Sequence, residues 1–122
     1  MDKLKTVDID SEGKFKYIQI MVQGENGRVK YLVRGYKWAA FHADILEEVE
    51  MKELVPLRSK TGYQISWFCP GGGWILHEPS EKHILIYGHS QGYGRPDHSI
   101  SYYLVKQAFS EYDNIEWLDE DH

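Results

Sequence analysis

Residues 14–33 read "KFKYIQIMVQGENGRVKYLV", two strands and the turn that joins them. Ile18, Ile20 and Val22 alternate on one side of the first strand, and Phe15, Tyr17 and Met21 on the other. Successive strand side chains point to opposite faces, so this strand is expected to be covered on both. In "GENG" (24–27) the Asn26-Gly27 pair favours a tight turn, because both residues tolerate left-handed backbone. A turn centred there makes partner numbers sum to about 51–53. Lys16 then lies beside residues 35–37, and its side chain leaves the sheet on the Ile18, Ile20 and Val22 side.

Outward from the hairpin, a helix is expected over residues 37–54, with Trp38, Phe41, Ile45 and Val49 as its apolar stripe. His42, in "WAAFHADIL" (38–46), falls at the edge of that stripe. Periodicity alone leaves it either a packed histidine or a chemical one. "GYQISWF" (62–68), with Tyr63, Ile65 and Trp67 alternating, reads as a strand, and "CPGGG" (69–73) as a turn. Strands at 74–78 and 82–88, a Gly-rich loop at 89–97, a helix at 98–109 and a short strand at 114–117 follow. The second helix takes Asp97 or Ser99 as N-cap and carries Ile100, Leu104 and Ala108 on its stripe. The order ββαβββαβ predicts one compact α/β domain over residues 1–122, with its core over about 7–117: a mixed six-stranded sheet with two helices packed on it.

A chain of 122 residues with 42% hydrophobic and 27% charged residues suits one soluble core. The net charge of -5 argues against general nucleic-acid binding, which needs a basic field. Cys69 is the sole cysteine, so no internal disulfide forms and a reducing compartment is expected. "MDKLKTVDIDSEG" (1–13) has no apolar run, no stretch is long and apolar enough to cross a bilayer, and the acidic "DEDH" end is expected to fray. A cytoplasmic monomer without nucleic-acid or membrane partners is the expectation.

Three elements are candidates for chemistry. His42 is one. Lys16, at the strand end beside the start of the His42 helix, is the second. The third is "YGHSQGYGRPDH" (87–98), where glycines let backbone N–H groups converge into an anion-binding concavity, Ser90 offers a hydroxyl, and a helix N-terminus lies just beyond. It is neither a P-loop nor a dinucleotide fingerprint. "DIDSEG" (8–13) fails as a calcium loop, because Gln19 stands where the bidentate Glu belongs. His77, His83 and His89 match no zinc pattern, so no metal site is expected.

Taken together, "VDIDSEGKFKYI" (7–18), "VRGYKWAAFHADI" (33–45), "GGG" (71–73), "HILIYGHSQGYG" (83–94) and "PDHSIS" (96–101) resemble the protein phosphohistidine phosphatase, or janus, family. The resemblance runs in order from about Val7 to Trp117, and "RGYKW" followed closely by "HADI" is its most specific part. It implies hydrolysis of phosphohistidine in proteins without a metal or organic cofactor. By that resemblance His42 is the catalytic residue, Lys16 contacts the phosphate, and Ser90, Gln91 and Gly92 bind it through backbone and hydroxyl. Two mechanisms fit: His42 as general base toward water, or as nucleophile. Arg34 and His98 are candidates for a supporting role. Trp74 stands where the family pattern has a basic residue, and His89 where it often has an aromatic one. The alternative function is a catalytically weak phosphate-recognition module.

Overall fold

A computed structural model of the chain describes residues 1–62 and 64–119. Tyr63, in the expected third strand, and the last three residues of "DEDH" lie outside them. The six strands are β1 (Val7–Ile9), β2 (Gly13–Gln23), β3 (Val29–Tyr36), β4 (Ser66–Glu78), β5 (His83–Tyr87) and β6 (Asn114–Trp117). They form one mixed sheet in the order β1-β3-β2-β4-β5-β6, with β1 parallel to β3, β5 parallel to β6, and the rest antiparallel. The helices are α1 (His42–Val49), α2 (Val55–Lys60) and α3 (His98–Ala108). A π-helical turn, Glu50–Leu54, joins α1 to α2 with helical backbone throughout, so His42 to Lys60 is one rod. Pro56 has no N–H to donate to the turn before it, and its ring crowds that turn. The widened π turn directly precedes it.

The hairpin has the expected register. Lys16 pairs with Tyr36, and every β2–β3 pair sums to 52. Asn26 (φ 68) and Gly27 (φ 74) both adopt the left-handed backbone the turn needs. Both faces of β2 are covered. Ile18, Ile20 and Val22 pack with Ile45, Val49 and Leu54 of the first helical rod. Phe15 and Tyr17 pack with Ile75, Ile84, Ile86 and, from α3, Val105.

The α/β class, the mixed six-stranded sheet and the two packed helical bodies are as expected, but the strands are drawn differently and the order is βββαββαβ. "CPGGG" is not a turn. It lies inside β4, which runs unbroken from Ser66 to Glu78. The β2–β4 register shifts by one between Gln19 and Met21, a bulge that takes up Cys69 and Pro70. A bulge is where a strand tolerates a residue with no N–H to donate. The sixth strand is instead β1, too short to read from periodicity.

The first helix begins at His42, not near residue 37. Trp38 stacks on Tyr36 (5.5 Å, 11°) and stays largely exposed, as does Phe41, so neither belongs to the buried stripe. On α3 the buried residues are His98, Ser101 and Val105, whereas Ala108 is exposed.

Candidate active site

His42 is the first residue of α1. The Asp44 carboxylate accepts from the Phe41 amide (3.0 Å), and the Asp44 amide donates to the Phe41 carbonyl (3.1 Å), which fixes the helix start at this point. The ring is buried, with 9% of the residue exposed. Nε2 lies 2.9 Å from the Gly73 carbonyl. A carbonyl oxygen only accepts, so Nε2 carries the proton and Nδ1 holds the lone pair. Nδ1 has no partner among the described residues. Burial, opposed in part by the Gly73 bond, holds the His42 pKa below the ordinary range, and the nearby charges of Lys16 and His89 push it the same way. The ring is therefore neutral at pH 7.

The glycines of β4 explain how the imidazole fits. A Cβ at Gly72 would stand 2.7 Å from His42 Cδ2 and 2.7 Å from the Tyr17 carbonyl. One at Gly73 would stand 2.9 Å from His98 Cε1 on the other face. The strand is bare here so that a histidine can lie against it from each side.

His42 opens into a cleft of about 840 Å³, lined also by Lys16, Ala43, Trp74, His89, Ser90, Gln91, Gly92 and Tyr93. Lys16 comes from β2 on the face the hairpin register predicts, directly opposite Trp74 of β4. Its ammonium rests 4.3 Å from the Trp74 ring centroid. The loop after β5 closes the far wall. Ser90 and Gly94 pair through both backbone bonds (3.1 and 2.7 Å), and the Gly94 carbonyl also accepts from the Gly72 amide (3.1 Å), which ties the loop to β4. The buried Ser90 hydroxyl accepts from the Tyr93 amide (3.1 Å), leaving its own proton to donate. The Ser90 amide is spent inside the loop, while the amides of Gln91 and Gly92 have no acceptor among the described residues.

The cleft thus gathers an ammonium, a hydroxyl and unpaired amides, and no carboxylate lines it although the chain carries -5. Such a set takes an oxyanion. His42, Lys16, Ser90, Gln91 and Gly92 are brought together. Arg34 and His98 are not among the lining residues. Arg34 is fully buried, forks onto the Glu53 carboxylate (2.9 and 2.7 Å) and donates to the carbonyls of Lys5, Thr6 and Val33, so it ties the N-terminal segment and β3 to the π turn. His98 lies beneath the sheet, donating Nε2–H to the Gly88 carbonyl (2.7 Å) and accepting at Nδ1 from the Tyr17 hydroxyl (2.7 Å).

The helix N-terminus at the cleft is that of α1, not α3 as the sequence suggests. Ala43 lines the cleft and its amide stands in a first turn that has no intrahelical acceptor. The sequence reading missed this donor because it began the helix early. Asp44, acidic in the first turn, was the available signal. Cys69 is no rival nucleophile, since burial pushes its thiol up to about 11. Among the described residues no group of three His, Cys, Asp or Glu side chains is placed to hold a metal.

Fold and cleft define a small α/β protein in which the neutral His42 opens into a cleft lined by oxyanion donors. The family model described as Janus/Ocnus family matches residues 1–113. The 14 kDa phosphohistidine phosphatase of Sus scrofa is 41% identical over 97% of this chain and 92% of its own. The protein of that name from Homo sapiens is 38% identical over 93% and 90%. The sex-regulated protein janus-A of Drosophila pseudoobscura pseudoobscura is 39% identical over 97% and 77%. The chain belongs to the Janus/Ocnus family.

Proposed function

We propose that this protein is a protein phosphohistidine phosphatase, a hydrolase that cleaves the P–N bond of phosphohistidine. The observation that carries the reading is the His42 geometry: a neutral imidazole, its Nε2–H held by Gly73, opening into a cleft of oxyanion donors. Two relatives that span nearly the whole chain bear the name phosphohistidine phosphatase, which supports the same reading.

In this mechanism the phosphoryl group sits among Lys16, the Ser90 hydroxyl and the amides of Gln91, Gly92 and Ala43. These groups balance its charge and orient it for in-line attack. His42 Nδ1 takes a proton from water as the oxygen closes on phosphorus. The P–N bond breaks and its electron pair returns to the substrate imidazole, which leaves as a neutral ring because its other nitrogen carries a proton. Inorganic phosphate forms, and His42 releases the proton it took to solvent. Neutral His42 suits this role because its lone pair is available at cellular pH. The donors are in place before the charge develops. No residue of this scheme needs a cofactor. Substrates are phosphohistidine-containing proteins, met by a monomer in the cytoplasm. No helix is long and apolar enough to cross a membrane among the described residues, and the one cysteine is unpaired.

The test is phosphate release from a phosphohistidine peptide. The wild type should give many turnovers per molecule. Binding of the peptide without release would leave a phosphate-recognition module in its place.

A further inference from the structure

Lys16 has a neighbour that the proposed mechanism does not use. Lys14 lies two residues earlier on β2, on the same face and about 7 Å away along the strand. It is exposed and does not line the cleft. Its ammonium stands 5.0 Å from the centroid of the Trp74 ring, the ring that also carries Lys16, and 6.0 Å from that of Tyr87. Neither ammonium meets a carboxylate among the described residues. Acidic residues outnumber Lys and Arg by 19 to 14, so two cations adjacent on one sheet face form a local exception to the charge of the whole.

The indole explains how the pair is held. Two like charges on one face repel, and the negative face of an aromatic ring offsets part of that repulsion. The offset fixes both ammonium groups in position without neutralising them. A phosphohistidine in the cleft supplies an anion for Lys16, which lines it, and not for Lys14, which does not. The same sheet face turns acidic further on. Glu78 is paired across the sheet with His83, which also meets Glu116. An anionic group of the substrate is therefore favoured next to the cleft and disfavoured beyond it.

We infer that Lys14, held on the indole of Trp74 at the mouth of the cleft, is a second anion subsite that recognises a carboxylate of the protein substrate near its phosphohistidine. The inference rests on the phosphatase reading for its substrate. In an extended segment, side chains two residues apart are about 7 Å apart on one face, which matches the Lys16 to Lys14 spacing. The target is thus an Asp or Glu about two positions from the phosphohistidine.

The experiment compares two phosphohistidine peptides that carry either Glu or Gln at both positions two residues from the phosphohistidine. The quantity read is the ratio of kcat/KM, Glu peptide over Gln peptide. In the wild type the ratio should be about three to five, the size of an exposed charge pair. In Lys14→Gln it should fall to about one. Trp74→Leu, which removes the aromatic face, should lower it toward one, and Trp74→Phe, which keeps a face, should retain it. A wild-type ratio near one, or a ratio unchanged in Lys14→Gln, overturns the subsite. If the wild type turns over neither peptide, the phosphatase reading falls instead. Equilibrium affinities for the two peptides in a non-hydrolysable phosphonate form then decide the subsite by the same ratio.

Discussion

Two side chains that line the cleft carry different burdens in the proposed mechanism. In that mechanism Lys16 holds the phosphoryl group before and during reaction alike, so Lys16→Ala should mainly raise KM, by about tenfold or more, with kcat affected less. Steady-state kinetics on a phosphohistidine peptide separates the two. The His42 ring depends on the absence of a side chain at Gly72. Gly72→Ala would push a methyl group into the His42 ring and the Tyr17 carbonyl, and should destabilise the fold by about 1–3 kcal/mol. Gly92→Ala meets nothing within 4 Å and should shift stability by under about 0.5 kcal/mol. Thermal melts of the two variants check the contrast. At this scale the sequence was partly legible. Strand parity and the hairpin sum put Lys16 on the correct face beside the His42 segment. The bond from His42 to Gly73 was not legible, because it joins positions 31 apart through a strand that read as a turn.

Elements position these side chains, and two of them deceived the sequence reading for physical reasons. Three glycines after a proline usually mark a turn, since they lack side chains to pack in a strand. Here the missing side chains admit a histidine from each face of β4. The first helix looked longer because Trp38 and Phe41 fall at helical spacing from Ile45, yet they lie before the helix start and are exposed. Arg34 shows the reverse case, a residue whose sequence neighbourhood suggested the site and whose contacts are structural. Its buried guanidinium relies on Glu53 of the π turn. Glu53→Ala would leave that charge without its carboxylate and should cost about 3 kcal/mol. The carboxylate is partly exposed, which keeps the loss toward the lower end. Denaturant unfolding measures the cost, while activity of the folded fraction should remain.

The whole molecule responds to acid through its buried histidines. Burial holds His42 and His98 below their unfolded pKa, so the unfolded chain binds more protons as pH falls through about 6.5. Stability should be full above that value and decline below it. His83, whose burial lowers its pKa but whose bonds to and charges of Glu78 and Glu116 together raise it, acts in the opposite sense, with stability present below about 6.5 and lost as pH rises through its folded pKa. It bears on a more exposed site and weighs less. Activity should have its own acid limb at lower pH: kcat/KM should fall as pH drops through the folded His42 pKa, which burial holds below the ordinary value of about 6.5. Unfolding midpoints and pH–rate profiles report the two effects separately. The class of fold, the two-sided packing of β2 and the nearness of Lys16 to the His42 helix follow from patterns spread along the chain, while the 90–92 loop joins them only through the family resemblance. The strand count came out the same by a different route, since β1 spans only Val7–Ile9. The claim on which the rest depends is that His42 performs the chemistry. Phosphate release from a phosphohistidine peptide by His42→Ala, set against the wild type under identical conditions, measures it directly. A fall of about 10²–10⁴-fold with the fold intact is the predicted result, and release at the wild-type rate would contradict it.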